Sequence, residues 1–145
     1  MIKICFVCLG NICRSPMAEF MMKEKIHKLG LSNFFIASSG TSSEEEGNDL
    51  YPGAKRILDA RGIPYERHFA RKLEANDYNN FDYFICMERR NVEATKRIFG
   101  GLEDKIFQLL EKDVADPWYT GDFETTYHDL DVGLDQWIQK LSKER

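Results

Sequence analysis

The sequence predicts an α/β fold built on a parallel sheet, and three observations carry that expectation. Short apolar runs alternate with helix-like segments along the chain, the pattern of strand–helix–strand units with right-handed crossovers. The first run, Ile2 to Val7, is nearly continuous in apolar residues, as in a strand covered on both faces. The last segment carries Phe123, Tyr127, Leu130, Leu134, Trp137 and Leu141 at alternating spacings of four and three, a single stripe on one helix face. No internal repeat or linker interrupts the chain, so residues 1–145 are expected to form one domain.

Taken in order, Ile2 to Val7 is the first strand, and Gly10 and Asn11 break it. Pro16 suits the first turn of a helix, which makes Ser15 a candidate N-cap, and that helix should end near Gly30. Asn33 to Ser38 reads as the second strand, Gly40 to Gly47 as an acidic loop, and Pro52 to Arg61 as a helix closed by Gly62. Phe81 to Met87 is the third strand, Glu88 to Phe99 a helix ending at Gly100, and Ile106–Phe107 a short fourth strand. Asp113 to Gly121 reads as a loop before the last helix. Ligands of such sheets sit beyond the carboxyl ends of the strands, which singles out the loops after the first and fourth.

Of the 145 residues, 43% are hydrophobic and 30% charged, a balance that supports a packed core and argues against disorder. A formal net charge of −4 argues against nucleic acid as a partner, while leaving room for a local anion site. No apolar run is long enough to span a membrane and the N-terminus does not read as a signal peptide, so a cytoplasmic protein without membrane attachment is expected.

The segment Cys8-Leu9-Gly10-Asn11-Ile12-Cys13-Arg14-Ser15 joins the first strand to a helix start. Unpaired amides at a helix N-terminus make an anion site, and Gly10 and Asn11 both tolerate the left-handed backbone that lets a loop curl its amides inward. Arg14 adds a planar fork that matches two phosphate oxygens. A cysteine beside an arginine and a helix start is in the setting that favours a thiolate, so Cys8 is the candidate nucleophile. Ser15 is placed to donate a hydrogen bond to it. Cys5 and Cys8 also match C-x-x-C, but zinc would need two more ligands, and a redox pair normally sits at a helix start rather than in a strand. Cys5 and Cys86 read better as small core residues.

The second loop offers Asp116-Pro117-Trp118-Tyr119. Asp116 is the candidate acid for a leaving group, and Trp118 and Tyr119 suit a wall for an aromatic ring. An ordinary Asp-Pro turn with Trp118 in the core fits the dipeptide as well, and Asp113 and Asp122 are rival acids.

Together, the run Val7 to Glu19 with its C-x5-R-S-P, the late Asp116-Pro117-Trp118-Tyr119, Ser38-Ser39-Gly40, His68 to Arg71 and Phe81 to Met87 resemble the low-molecular-weight protein tyrosine phosphatases over essentially the whole chain. The resemblance implies a four-stranded parallel sheet flanked by helices on both faces, with the phosphate-binding loop after strand one. It implies hydrolysis of phosphotyrosine through a phosphocysteine, with Cys8 as nucleophile, Arg14 as phosphate clamp and Asp116 as general acid and then base. Leu9, Gly10, Asn11, Ile12, Cys13 and Ser15 would bind the phosphate, with Trp118 and Tyr119 at the substrate. Asn11, Ser39 and His68 would form a supporting network, and Cys13 would pair reversibly with Cys8 on oxidation. Partners would be phosphotyrosine proteins or small aryl phosphates, with no metal or other cofactor, and the protein is expected to be a monomer.

One departure is the run Ser42-Ser43-Glu44-Glu45-Glu46-Gly47, where the family often carries an aromatic residue. It reads as a solvated acidic loop or as a filter for substrates with basic flanks. Rival activities are weaker. A thiol-dependent arsenate reductase needs two later relay cysteines, and only Cys86 follows Cys13. A protein-arginine phosphatase of the same family would carry Thr where this chain has Ile12. A silent phosphotyrosine-binding module would be expected to lack the nucleophile or the acid.

Overall fold

A computed structural model describes residues 1–143. Its sheet consists of β1 (Ile2–Cys8), β2 (Phe34–Gly40), β3 (Tyr83–Cys86) and β4 (Ile106–Gln108), in the order β2-β1-β3-β4 and parallel throughout. Among the described residues the α-helices are α1 (Arg14–Lys28), α2 (Pro52–Ala60), α3 (Arg89–Ile98), α4 (Pro117–Thr120) and α5 (Phe123–Lys143), with a 3-10 helix at Ala75–Asn80.

The alternation of side chains along β1 divides the core in two. Ile4, Phe6 and Cys8 face a large cluster with residues of α1, α2 and α5, whereas Cys5 and Val7 face a smaller one with Phe84, Cys86 and Phe99. Helices therefore cover both faces, as the apolar run of β1 requires. Cys5 and Cys8 point to opposite sides of the sheet, so the C-x-x-C spacing cannot converge on a metal or a disulfide. The stripe of α5 is the expected one: Leu130, Leu134, Trp137 and Leu141 are buried, and Trp137 Nε1 donates to the Leu109 carbonyl at 3.1 Å.

The sheet order positions the site. The chain leaves β1 toward β2 on one side, while β3 lies on the other, so the end of β1 opens at the point where the connections diverge.

Two expectations are corrected and one element was unforeseen. The N-cap of α1 is Cys13, not Ser15, which lies one residue inside the helix and is fully buried. Pro16 is tolerated throughout a first turn whose N–H groups lack intrahelical partners, so it fixes the start only to within that turn. The segment read as a loop from Asp113 to Gly121 contains the one-turn helix α4, capped by Asp116 and stopped by Gly121 in the left-handed conformation. The 3-10 helix, six residues without an apolar period, was not expected from the sequence.

Candidate active site

The loop from Cys8 to Arg14 curls because its carbonyls are drawn outward. The carbonyls of Cys8 and Leu9 accept from the amides of Thr41 and Ser42 at 3.0 Å each, and that of Ile12 from the Tyr51 amide at 2.9 Å. The Asn11 carbonyl accepts from His68 Nε2 at 2.7 Å, which fixes the proton of a neutral imidazole on Nε2. With its carbonyls turned away, the loop is left as a nest of amides around the end of β1.

Asn11 is the pivot of this curl. It is fully buried, with φ at 60°, a left-handed backbone that asparagine tolerates better than other non-glycine residues. Its amide donates to Cys8 Sγ at 3.3 Å. Its side-chain nitrogen donates to Ser15 Oγ at 2.8 Å and Ser38 Oγ at 3.1 Å, and its side-chain oxygen accepts from the Arg71 amide at 3.0 Å. The Ser38 hydroxyl hands its proton on to Glu19, at 2.7 Å. Ser15 Oγ accepts from Asn11, so its one proton has two acceptors in reach, Cys8 Sγ at 3.1 Å and the Ser39 carbonyl at 3.4 Å. Gly40, at the end of β2, has to be glycine: a Cβ there would lie 2.8 Å from the Leu9 carbonyl oxygen.

Arg14 is 1% exposed. Its Nη1 donates to the Val114 carbonyl at 2.9 Å, and its Nη2 sits 3.2 Å from Asp116 Oδ2 and 3.5 Å from Glu88 Oε1. The segment after β4 brings the first two of these partners back across β3, where the Val114 amide donates to the Met87 carbonyl at 2.9 Å. The other oxygen of Asp116 caps α4 through the Trp118 amide at 3.0 Å. Of the three candidate acids, Asp116 is the one in contact with Arg14: Asp113 accepts from the Arg89 amide and Asp122 from Thr125.

Cys8, Arg14 and Asp116 line one cleft of about 140 Å³, together with Leu9 to Cys13, Ser42, Glu44, Glu45, Trp118 and Tyr119. Trp118 is 54% exposed and Tyr119 75%, so the tryptophan belongs to the rim and not to the core. Tyr51 supports it edge-on, with ring centroids 5.2 Å apart, and itself stacks on Phe123 at 5.9 Å. Of the acidic run, Glu44 and Glu45 reach the mouth, whereas Glu46 accepts from the Lys72 amide at 3.0 Å.

Every site residue expected from the sequence comes to this cleft or to the shell beneath it. Ser39 lies in that shell, its carbonyl 3.4 Å from Ser15 Oγ. Sequence reasoning missed Gly40, Tyr51, Arg71 and Glu88 as parts of the site. Glu88 had a readable signal, since Glu88 and Asn91 form a capping box at the start of α3 directly after a strand. The four cysteines are free thiols. Burial pushes Cys5 and Cys86 up to about 12, and burial followed by the neighbouring Cys8 pushes Cys13 well above the ordinary cysteine value. Among the described residues no group of three or more His, Cys, Asp or Glu side chains is arranged to hold a metal ion.

A parallel α/β sheet with a cysteine-led, amide-lined loop after its first strand defines the class: an α/β protein that presents a cysteine at the base of an anion-binding loop. Comparison with known proteins gives the family. Residues 3–145 match the model of the low molecular weight phosphotyrosine protein phosphatases, and the chain belongs to that family. The low molecular weight protein-tyrosine-phosphatase PtpA of Staphylococcus epidermidis is 37% identical over 150 residues, covering 99% of this chain and 96% of that protein. The crystal structure of SP-PTP, the low molecular weight protein tyrosine phosphatase of Streptococcus pyogenes, superposes with a TM-score of 0.91 at 42% identity, covering 97% of this chain and 93% of that one. That of YfkJ from Bacillus subtilis superposes with a TM-score of 0.96 at 35% identity, over 100% and 97% of the two chains.

Proposed function

We propose that the protein hydrolyses phosphotyrosine in proteins and small aryl phosphates through a phosphocysteine at Cys8. The observation that carries this reading is the convergence of Cys8, Arg14 and Asp116 on one cleft whose floor is the amide nest. The Cys8 thiolate attacks phosphorus in line, and the S–P bond forms as the bond to the phenolic oxygen breaks. Arg14 exchanges its contact with Asp116 for two phosphate oxygens, and loop amides other than that of Asn11, which donates to the sulfur, also bind the phosphoryl group. The Asp116 carboxyl gives its proton to the departing phenolate. In the second half, the Asp116 carboxylate takes a proton from water as that water attacks phosphorus. The S–P bond breaks, and the Ser15 hydroxyl donates to the sulfur as it leaves. The exposed faces of Leu9, Trp118 and Tyr119 favour an aromatic substrate at the mouth, and Ile12 favours it over phosphoarginine. A cytoplasmic setting accords with four free thiols, which that compartment keeps reduced.

The test is hydrolysis of matched phosphotyrosine, phosphoserine and phosphoarginine peptides, the first with acidic or basic flanks, under reducing conditions with a chelator. Preference for phosphotyrosine is the expected result, and faster turnover of phosphoarginine would change the substrate class. Equal kcat/KM for the two flank types would assign Glu44 and Glu45 no part in selection.

A further inference from the structure

The nucleophile's loop is gripped from three sides, and one of those sides has no regular secondary structure of its own. Ser15 belongs to α1 and Ser38 to β2, but His68 and Arg71 lie in an irregular segment between α2 and the 3-10 helix, attached to the sheet by a single bridge from Lys72 to Gly40. That segment supplies two of the hydrogen bonds that fix Asn11. Something has to hold it in turn, and the side chain of Arg71 is placed to do so. Its main-chain amide donates to Asn11 Oδ1, while its guanidinium reaches back: Nη1 donates to Ser39 Oγ, and Nη2 donates to both carboxylate oxygens of Asp77 at 2.7 and 2.8 Å. Asp77 is buried and fixed independently, its Oδ2 accepting from the Glu74 amide at 2.8 Å in the capping box of the 3-10 helix. The neighbouring backbone closes the ring, with the Gly40 amide donating to the Arg71 carbonyl at 2.8 Å and the Leu73 amide to the Gly40 carbonyl at 2.8 Å.

We infer that Arg71 and Asp77 are a positioning pair for the catalytic loop: the pair holds the segment that fixes Asn11 in its left-handed conformation, and through Asn11 it sets the amide that donates to Cys8 Sγ. The inference rests on Cys8 being the nucleophile, as read above. Neither residue lines the cleft, so neither is a catalytic residue. The pair matters because the two arms of the guanidinium fork take different partners, Nη1 on Ser39 and Nη2 on Asp77, which fixes the plane of the group as well as its distance. A lysine at 71 would keep the main-chain donor and the charge but lose the fork.

The test compares wild type with Arg71→Ala, Arg71→Lys and Asp77→Asn, using an aryl phosphate for turnover and iodoacetate at pH 6 for the reactivity of Cys8, with the modified cysteine located by peptide mass. Arg71→Ala is expected to lower kcat about 10-fold to 10²-fold, the scale of a small misplacement of reacting groups. Carboxymethylation of Cys8 should slow in parallel, Arg71→Lys should recover only part of both losses, and Asp77→Asn should fall between. Should Arg71→Ala fail to fold, the two conservative variants carry the comparison. Variants that unfold at lower urea concentration yet keep the wild-type kcat and carboxymethylation rate would overturn the inference, since a merely structural brace behaves that way. If wild type turned over no phosphate ester while Cys8 remained reactive, the phosphatase reading would fail separately, and the carboxymethylation series would still decide the role of the pair.

Discussion

The two loops that build the cleft are made on opposite principles. From Cys8 to Ser15, Asn11 and Ser15 have no exposed surface and Arg14 almost none, and the side chains of Asn11 and Arg14 are tied to four other parts of the chain, at Ser38, Arg71, Glu88 and Val114. From Asp116 to Gly121 the chain makes one exposed helical turn, held by the Asp116 cap and the contact with Arg14, with Trp118 and Tyr119 largely in solvent. The first has to present fixed dipoles to a fixed charge, and preorganisation is what makes such dipoles effective. On the proposed mechanism the second meets the leaving group, which differs from substrate to substrate, so a rim with few constraints serves it better.

The largest effects should come from the rigid side. Cys8→Ser should abolish turnover while still binding inorganic phosphate, because the amide nest and Arg14 remain; residual turnover near the wild-type rate would break the assignment. Asp116→Ala should fold, retain phosphate binding and lose about 10²–10⁴ in kcat on esters with poor leaving groups. The loss should shrink for activated aryl esters that depart without a proton. If both variants behaved alike toward activated esters, the two loops would not differ as described.

A change that touches no reacting group sharpens the contrast. Gly40→Ala sets a Cβ against the Leu9 carbonyl oxygen, at 2.8 Å, and one of the two has to move. Displacing the cradle in this way should cost about 10-fold or more in kcat/KM, measured on an aryl phosphate beside a urea unfolding curve. Wild-type kinetics in this variant would mean that the loop is less fixed than its hydrogen bonds indicate.

How much of this was legible in the sequence follows the same division. The Cys8–Ser15 loop could be read because its chemistry is contiguous: nucleophile, turn residues, arginine and helix start within eight positions. The apolar runs of β1 and α5 were legible because burial there has a clean period. Ser15 was misplaced as a cap, since Pro16 marks the helix start only to within a turn, and α4 escaped notice because four residues carry no periodicity. Arg71, Glu88 and Gly40 were missed for a different reason. Their contacts with the loop span 60, 74 and about 30 positions of chain; the capping box marks Glu88 as a helix start, but no local pattern encodes its contact with Arg14 or the contacts of the other two. His68 shows the same limit from the other side: taken alone it reads as a surface histidine, and only the fold buries it against Asn11.

The smallest expected effect lies one step further from the sulfur. Asp49 holds the His68 amide at 2.9 Å and pairs with Lys55 at 2.7 Å. Burial works to raise its pKa, but the bonds from Lys55 and from the amides of His68 and Leu50 outweigh it and hold the carboxyl well below the usual range. A depressed folded value means that the unfolded chain takes up its proton first. The stabilisation is therefore complete above the unfolded value of about 3.9 and is lost as pH falls toward the folded one. Asp49→Asn should lower the urea midpoint at pH 7 modestly, and the gap to wild type should close as pH drops below 4. With His68 less firmly held, a small fall in kcat at pH 7 should accompany the lower midpoint. A gap that stayed constant down to pH 2 would show that the Asp49 charge does not support His68.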